Sequence, residues 1–290
     1  MRNPIVFAAP LLWATALWSQ FAPANPEWNR PLEPFRVVGN VYYVGASGVS
    51  SFLIATSAGH ILVDTGYPET VPLVQASVRK LGFRMEDIKI LLATHAHTDH
   101  AGGMAAVKAL THARFLANPA DAEAFARGGK GDFAFGDVFA FPPVRPDGAL
   151  ADGGQIRLGD VTLTALFTPG HTAGCTSYTT TVREQDKSYR VAIVCSVTAP
   201  GYQLVNNQKR PDIVQDYEAT FAKLRALPCD VFLAGHSWEF GLPEKLKARA
   251  SGAPGNPFVD PAGYRRWVDK SEAAFRKQLE DQRQAAARTP

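Results

Sequence analysis

Three apolar runs in this chain stop at a histidine: ILLATH at His95, ALFTPGH at His171 and VFLAGH at His236. Each run has the branched and aromatic composition of a buried strand. In α/β sheets, ligands gather outside the carboxyl ends of strands, where loops converge without disturbing the packed interior. The first run is the densest. It continues as ATHAHTDHAGG, which places His95, His97, Asp99 and His100 side by side. In an extended segment, residues i, i+2 and i+4 share a face. That puts His95, His97 and Asp99 together and turns His100 elsewhere. One metal ion cannot easily use all four groups, but two can if His171 and His236 complete the set. Imidazole and carboxylate donors suit a borderline cation such as zinc. His60 opens a strand and His112 follows a helix, so both are read as surface or capping histidines.

The segments between these runs alternate strand and helix signals. FRVVGNVYYVG and SSFLIATSAGHILVDTG read as strands broken by Gly and Asn turns. Val71, Val74, Val78 and Leu81 fall on one helical face, and Gly82 ends it. Further helices are expected near 103–111, 119–127 and 213–226, with an amphipathic helix over 263–282. RGGKGDFAFGD is a Gly-rich loop without the Ser or Thr that a phosphate-binding loop requires. With no internal repeat and no shift in composition, one α/β domain over 25–290 is the economical reading.

Residues 1–24 stand apart. Arg2, an apolar stretch from Ile5 to Trp18 and the small-x-small site Ala22-Pro23-Ala24 follow the grammar of a cleaved secretory signal. The apolar stretch is shorter than the roughly 20 residues of a membrane span. The mature chain is therefore expected in an oxidising compartment, the periplasm, with no membrane attachment after cleavage. Cys175 follows the His171 loop and Cys195 ends a neighbouring strand, so these two are predicted to pair. Cys229 is then left as a free buried thiol; the alternative is three reduced cysteines. The net charge of +3 is dispersed, which gives no electrostatic case for nucleic acid.

THAHTDHAGG, together with TPGHTAG and AGHSWE, resembles the metallo-β-lactamase superfamily. The resemblance implies a four-layer αββα sandwich carrying two zinc ions, and it leaves the substrate open. The stretch CSVTAPGYQL narrows it. Glyoxalase-like and nuclease relatives have a bridging aspartate at this strand end, and the first two subclasses of true β-lactamases have a cysteine. Here Ser196 stands there, with Cys195 as a competing ligand. The absence of a bridging acid, and the likeness from Trp28 to Gln282, resemble the third subclass of class B β-lactamases.

That resemblance implies that His95, His97 and His171 bind one zinc and that Asp99, His100 and His236 bind the other. It makes Asp64 a support for a ligand and Asp99 the group that aims a zinc-bound hydroxide. Tyr202 becomes a donor to the oxyanion, and Ser196 and Thr198 become contacts for a substrate carboxylate. The implied activity is hydrolysis of β-lactam antibiotics by a monomer, conferring resistance. Another hydrolase of the superfamily, a lactonase or thioesterase, is the alternative; a secreted metal-binding protein without turnover is a third.

Overall fold

A computed structural model of the protein describes residues 24–288, so the expected leader lies outside the described residues except for Ala24. The first sheet takes its seven strands in chain order: β1 (Phe35–Val38), β2 (Val41–Tyr43), β3 (Phe52–Thr56), β4 (Gly59–Val63), β5 (Ile88–Leu92), β6 (Arg114–Ala117) and β7 (Gly148–Ala149). β1 to β4 form an antiparallel meander, and β4 to β7 run parallel. The second sheet holds β8 (Gln155–Leu158), β9 (Val161–Phe167), β10 (Thr176–Glu184), β11 (Lys187–Val194) and β12 (Val231–Ala234). β8 to β11 are antiparallel, and β12 joins β11 in parallel.

The helices are α1 (Val71–Lys80), α2 (Thr98–Ala101), α3 (Met104–Thr111), α4 (Pro119–Ala126), α5 (Ile213–Ala226), α6 (Leu242–Ala250) and α7 (Pro261–Arg288). Strand alternation decides the layering. Ile61 and Val63 of β4 and Ile90 and Leu92 of β5 face the second sheet, among Leu163, Ala165 and Tyr178. Leu62 and Leu91, between them in sequence, face Val74 and Val78 of α1 and Met104 and Val107 of α3. Both faces are thus apolar and covered, as a sheet with parallel central strands requires. Each fully buried aliphatic side chain is worth about 1.5–3 kcal/mol.

On the far side, the Phe275 ring of α7 stacks 4.7 Å from Tyr217 of α5, and Trp267 lies 4.5 Å from Phe232 of β12. The result is the expected αββα sandwich. Among the described residues, no helix is long and apolar enough to cross a membrane.

Four elements had no clear signal, the two-residue β7 among them. In β8 only Ile156 is buried, and in α6 only Leu242. α2 is a single turn hidden inside the histidine motif. His112 has φ 55° and caps α3 from an exposed position, as expected. His60 differs: it is buried, edge-on to Phe83 at 4.7 Å.

Candidate metal centre

Strand direction brings the histidines together. β4 and β5 are parallel; β9 and β11 both pair antiparallel with β10 and so run alike, and β12 follows β11. The two sheets are tied where these ends meet. The N–H of Thr176 donates to Thr94 O at 2.8 Å, the hydroxyl of Tyr178 to Ala93 O at 2.8 Å, and the N–H of Ser50 to Gly235 O at 2.9 Å.

His95 and His97 leave β5 on extended backbone, with His97 at φ −110°, ψ 154°. The alternation ends there. α2 starts at Thr98, so Asp99 and His100 project from a helical turn and not from a strand. That turn corrects the strand-based placement of His100, whose ring centroid lies 4.3 Å from that of His95. Gly235 makes room for it, since a Cβ there would sit 2.5 Å from His100 Cε1.

Two donor sets result. His95, His97 and His171 hold their ligand atoms within 4.8 Å of one another, with His171 Nε2 3.1 Å from His97 Nδ1. Asp99 Oδ2 lies 3.5 Å from both His100 Nε2 and His236 Nε2. Donors placed tetrahedrally around zinc at about 2.0–2.1 Å lie roughly 3.3–3.4 Å apart, close to these spacings. His95 Nε2 and His100 Nε2 are buried without a hydrogen-bond partner. Such orphaned nitrogens are costly unless something accepts their lone pairs, and a cation fits that need.

The Nδ1 atoms of His171, His95 and His100 are anchored, whereas His236 Nδ1 has no hydrogen-bond partner among the described residues. His171 Nδ1 donates to Thr198 O at 2.8 Å. His95 Nδ1 donates to Thr94 Oγ1 at 3.1 Å, and that hydroxyl donates to Asp64 Oδ2 at 2.8 Å. His100 Nδ1 faces the same Asp64 oxygen at 3.2 Å. His97 Nε2 lies 3.4 Å from Asp132 Oδ2, a contact looser than a hydrogen bond. Such partners fix the ring orientation and hold the other nitrogen toward a metal.

Burial, then the like charge of His97, pushes His171 down to about 3. Burial, then His100, pushes His236 down to about 4. Both are thereby held neutral, the form that binds metal. Burial opposes charge on His100 as well, yet Asp99 and Asp64 raise it to about 10. Burial likewise opposes ionisation of Asp99, but His100 and His236 hold its carboxyl well below the carboxylate range.

The six expected ligands and Asp64 therefore meet at one edge. Ser196 is buried, its Oγ 3.0 Å from the hydroxyl of exposed Thr198. Tyr202 is buried beside His171 and donates its hydroxyl to His171 O at 3.1 Å. Cys175 and Cys195 are joined as a disulfide with Cα atoms 5.8 Å apart, and Cys229 is free and buried. The disulfide removes Cys195 as a thiolate competitor. The sequence reading missed Thr94, Asp132 and an aromatic pair: Trp238 stacks on His236 at 4.3 Å, and Trp28 meets it edge-on at 5.3 Å.

Comparison with known proteins bears on this geometry. The profile described as the metallo-beta-lactamase superfamily matches residues 44–236, the span from the end of the first hairpin to the last histidine. The chain belongs to the metallo-beta-lactamase superfamily. A metallo-beta-lactamase of Cronobacter sakazakii with an HARLDQ motif is 45% identical, covering 88% of this chain and 97% of that one at a TM-score of 0.84. This chain reads HAHTDH, with histidine where that motif has arginine and glutamine.

The FEZ-1 metallo-beta-lactamase of Legionella gormanii is 38% identical, covering 88% of this chain and 98% of that one, with a TM-score of 0.86. BJP-1, a subclass B3 enzyme of Bradyrhizobium japonicum, is 39% identical over 90% of this chain and 98% of its own, with a TM-score of 0.84. A curated hydroxyacylglutathione hydrolase of Rhodopseudomonas palustris is 34% identical over 172 residues, 59% of this chain and 55% of that protein. The chain spans little more than half the length of such curated relatives. Within the metallo-beta-lactamase superfamily, its structural neighbours include subclass B3 metallo-beta-lactamases.

Proposed function

We propose that the protein is a dizinc β-lactamase of the periplasm that opens the β-lactam ring amide and confers resistance. The observation that carries this reading is the end of β11. Ser196 stands there with no acid beside it, and Cys195 is sealed in a disulfide. The whole-length likeness to BJP-1 and FEZ-1 supports it. His95, His97 and His171 would hold one ion, and Asp99, His100 and His236 the second.

When bound, two zinc ions supply an ionised water near neutral pH and a Lewis acid for the carbonyl. Asp99 accepts a hydrogen bond from the attacking water and aims it. Tyr202 serves the oxyanion by redirecting its one hydrogen bond away from His171 O. Ser196 and Thr198 present adjacent hydroxyls to the substrate carboxylate. The water oxygen bonds the carbonyl carbon, the C–N bond breaks, and a proton ends on the ring nitrogen. No serine nucleophile or acyl-enzyme is involved.

The curated hydroxyacylglutathione hydrolases favour a second reading, a thioesterase. Parallel assays separate the two. Nitrocefin and a carbapenem should be hydrolysed, dipicolinate should abolish turnover, and zinc should restore it to an enzyme carrying two ions. Thioester or lactone hydrolysis with inert penicillin, cephalosporin and carbapenem would replace the first reading with the second.

A further inference from the structure

We infer that Asp121 is a positioning residue for the first metal set, tying the His95–His97 segment to the His171 loop through one buried carboxylate. The inference rests on reading those three histidines as ligands. Asp121 stands in the first turn of α4, behind the Asn118 cap, and is 3% exposed. Its Oδ2 accepts the N–H of Ala96 at 3.1 Å and the hydroxyl of Thr172 at 2.7 Å. Its Oδ1 accepts the N–H of Gly174 at 2.7 Å. Ala96 separates His95 from His97, and Thr172 directly follows His171. The bonds therefore go to the backbone and side chain next to the ligands, on both sides of the gap between the two sheets.

The surrounding residues are chosen for this approach. A Cβ on Gly174 would lie 2.4 Å from Asp121 Cγ, so no larger residue fits there while the carboxylate keeps its place. Three donors converge on a group that only accepts. An amide of the same shape would turn N–H against at least one of them. α4 itself is rigidly placed, with Phe125 buried edge-on to Phe115 at 5.0 Å. The carboxylate thus fixes the spacing of two loops against a third element. Loss of such support around a metal typically costs about 10–100-fold in affinity.

The test compares the mature protein with Asp121→Asn, Thr172→Val and Thr172→Ser. Zinc affinity is measured by competition with a chromophoric chelator. The absorption bands of the cobalt(II)-loaded protein and the thermal midpoint of the metal-free protein are recorded beside it. Asp121→Asn should weaken binding at the first site about 10–100-fold and shift the cobalt bands. Thr172→Val should do the same to a smaller degree, and Thr172→Ser should match the wild type. Wild-type affinity and bands in both Asp121→Asn and Thr172→Val, with only the metal-free midpoint lowered, would overturn the inference. If Asp121→Asn fails to fold, the contrast between Thr172→Val and Thr172→Ser decides by the same readouts. A His171→Ala variant that binds metal like the wild type would instead overturn the ligand assignment, and the inference with it.

Discussion

Asp64 sits at φ 58°, a left-handed conformation that Asp and Asn tolerate best among residues with a side chain. That backbone turns its carboxylate back across the ligand edge. Oδ1 accepts the N–H of Thr94 at 2.7 Å, and Oδ2 serves both the Thr94 hydroxyl and His100 Nδ1. One side chain thereby orients His100 directly and His95 through Thr94. Asp64→Asn keeps the backbone but must aim an N–H at one of those donors. It should cost about 1–3 kcal/mol of stability and weaken the second metal about 10–100-fold, measured by thermal unfolding and chelator competition. Unchanged affinity would mean that His100 needs no such partner. Asp64 was readable because it ends an apolar run at the edge where the histidines end theirs. Asp132 was not. Its Oδ1 accepts the N–H groups of Ala134 and Phe135, the local turn chemistry that places Asp in loops of every kind. Its approach to His97 depends on where that loop lies in space, which local sequence does not encode.

Long-period patterns read well and short elements did not. α5 falls on the expected residues 213–226, because its buried positions Ile213, Tyr217, Thr220, Phe221 and Leu224 keep helical spacing. α7 also follows its apolar stripe but runs from Pro261 to Arg288, beyond the expected ends, where Pro261 opens the helix and the strong helix former alanine, at 285–287, prolongs it. α2 was invisible because four residues cannot show a period; it alone corrected the motif's geometry. The polar face of α7 has a use that periodicity cannot reveal. Gln278 donates to Ala199 O at 2.9 Å, and Gln282 donates to Tyr202 O at 2.7 Å while accepting the N–H of Leu204 at 2.7 Å. The last turns of the chain therefore hold the segment that carries Thr198 and Tyr202. Gln282→Leu leaves Tyr202 O with only its 3.2 Å bond from Gln278 and removes the acceptor of the Leu204 and Val205 N–H groups, without touching a histidine. It should raise KM for β-lactams several-fold and leave zinc content unchanged, checked by steady-state kinetics beside elemental analysis. Loss of zinc in this variant would show that α7 supports the metal set instead.

The six expected ligands are split between the two sheets. His95, His97, Asp99 and His100 follow β5 of the first; His171 and His236 follow β9 and β12 of the second. Between the sheets lies an apolar core, strong but without direction, and at this edge only a few hydrogen bonds such as that from Thr176 to Thr94 cross it. Each proposed ion would take ligands from both sheets: His171 closes the first set and His236 the second. Binding therefore cross-links the two halves of the sandwich as well as preparing the chemistry. An ion that binds the folded chain alone stabilises it by mass action, about 4 kcal/mol when its free concentration is 1,000 times the dissociation constant. For a chain of this size that corresponds to a rise of roughly 10 °C in Tm. Thermal unfolding in buffered zinc should show Tm climbing with the logarithm of free zinc, and excess dipicolinate should abolish the climb. His236→Ala should retain the part due to the first ion and lose the rest, while its metal-free Tm stays near that of the wild type. Equal Tm values with and without zinc, at concentrations that saturate binding, would mean that the unfolded chain holds the ions as tightly as the folded one, and that the ions do not cross-link the two sheets.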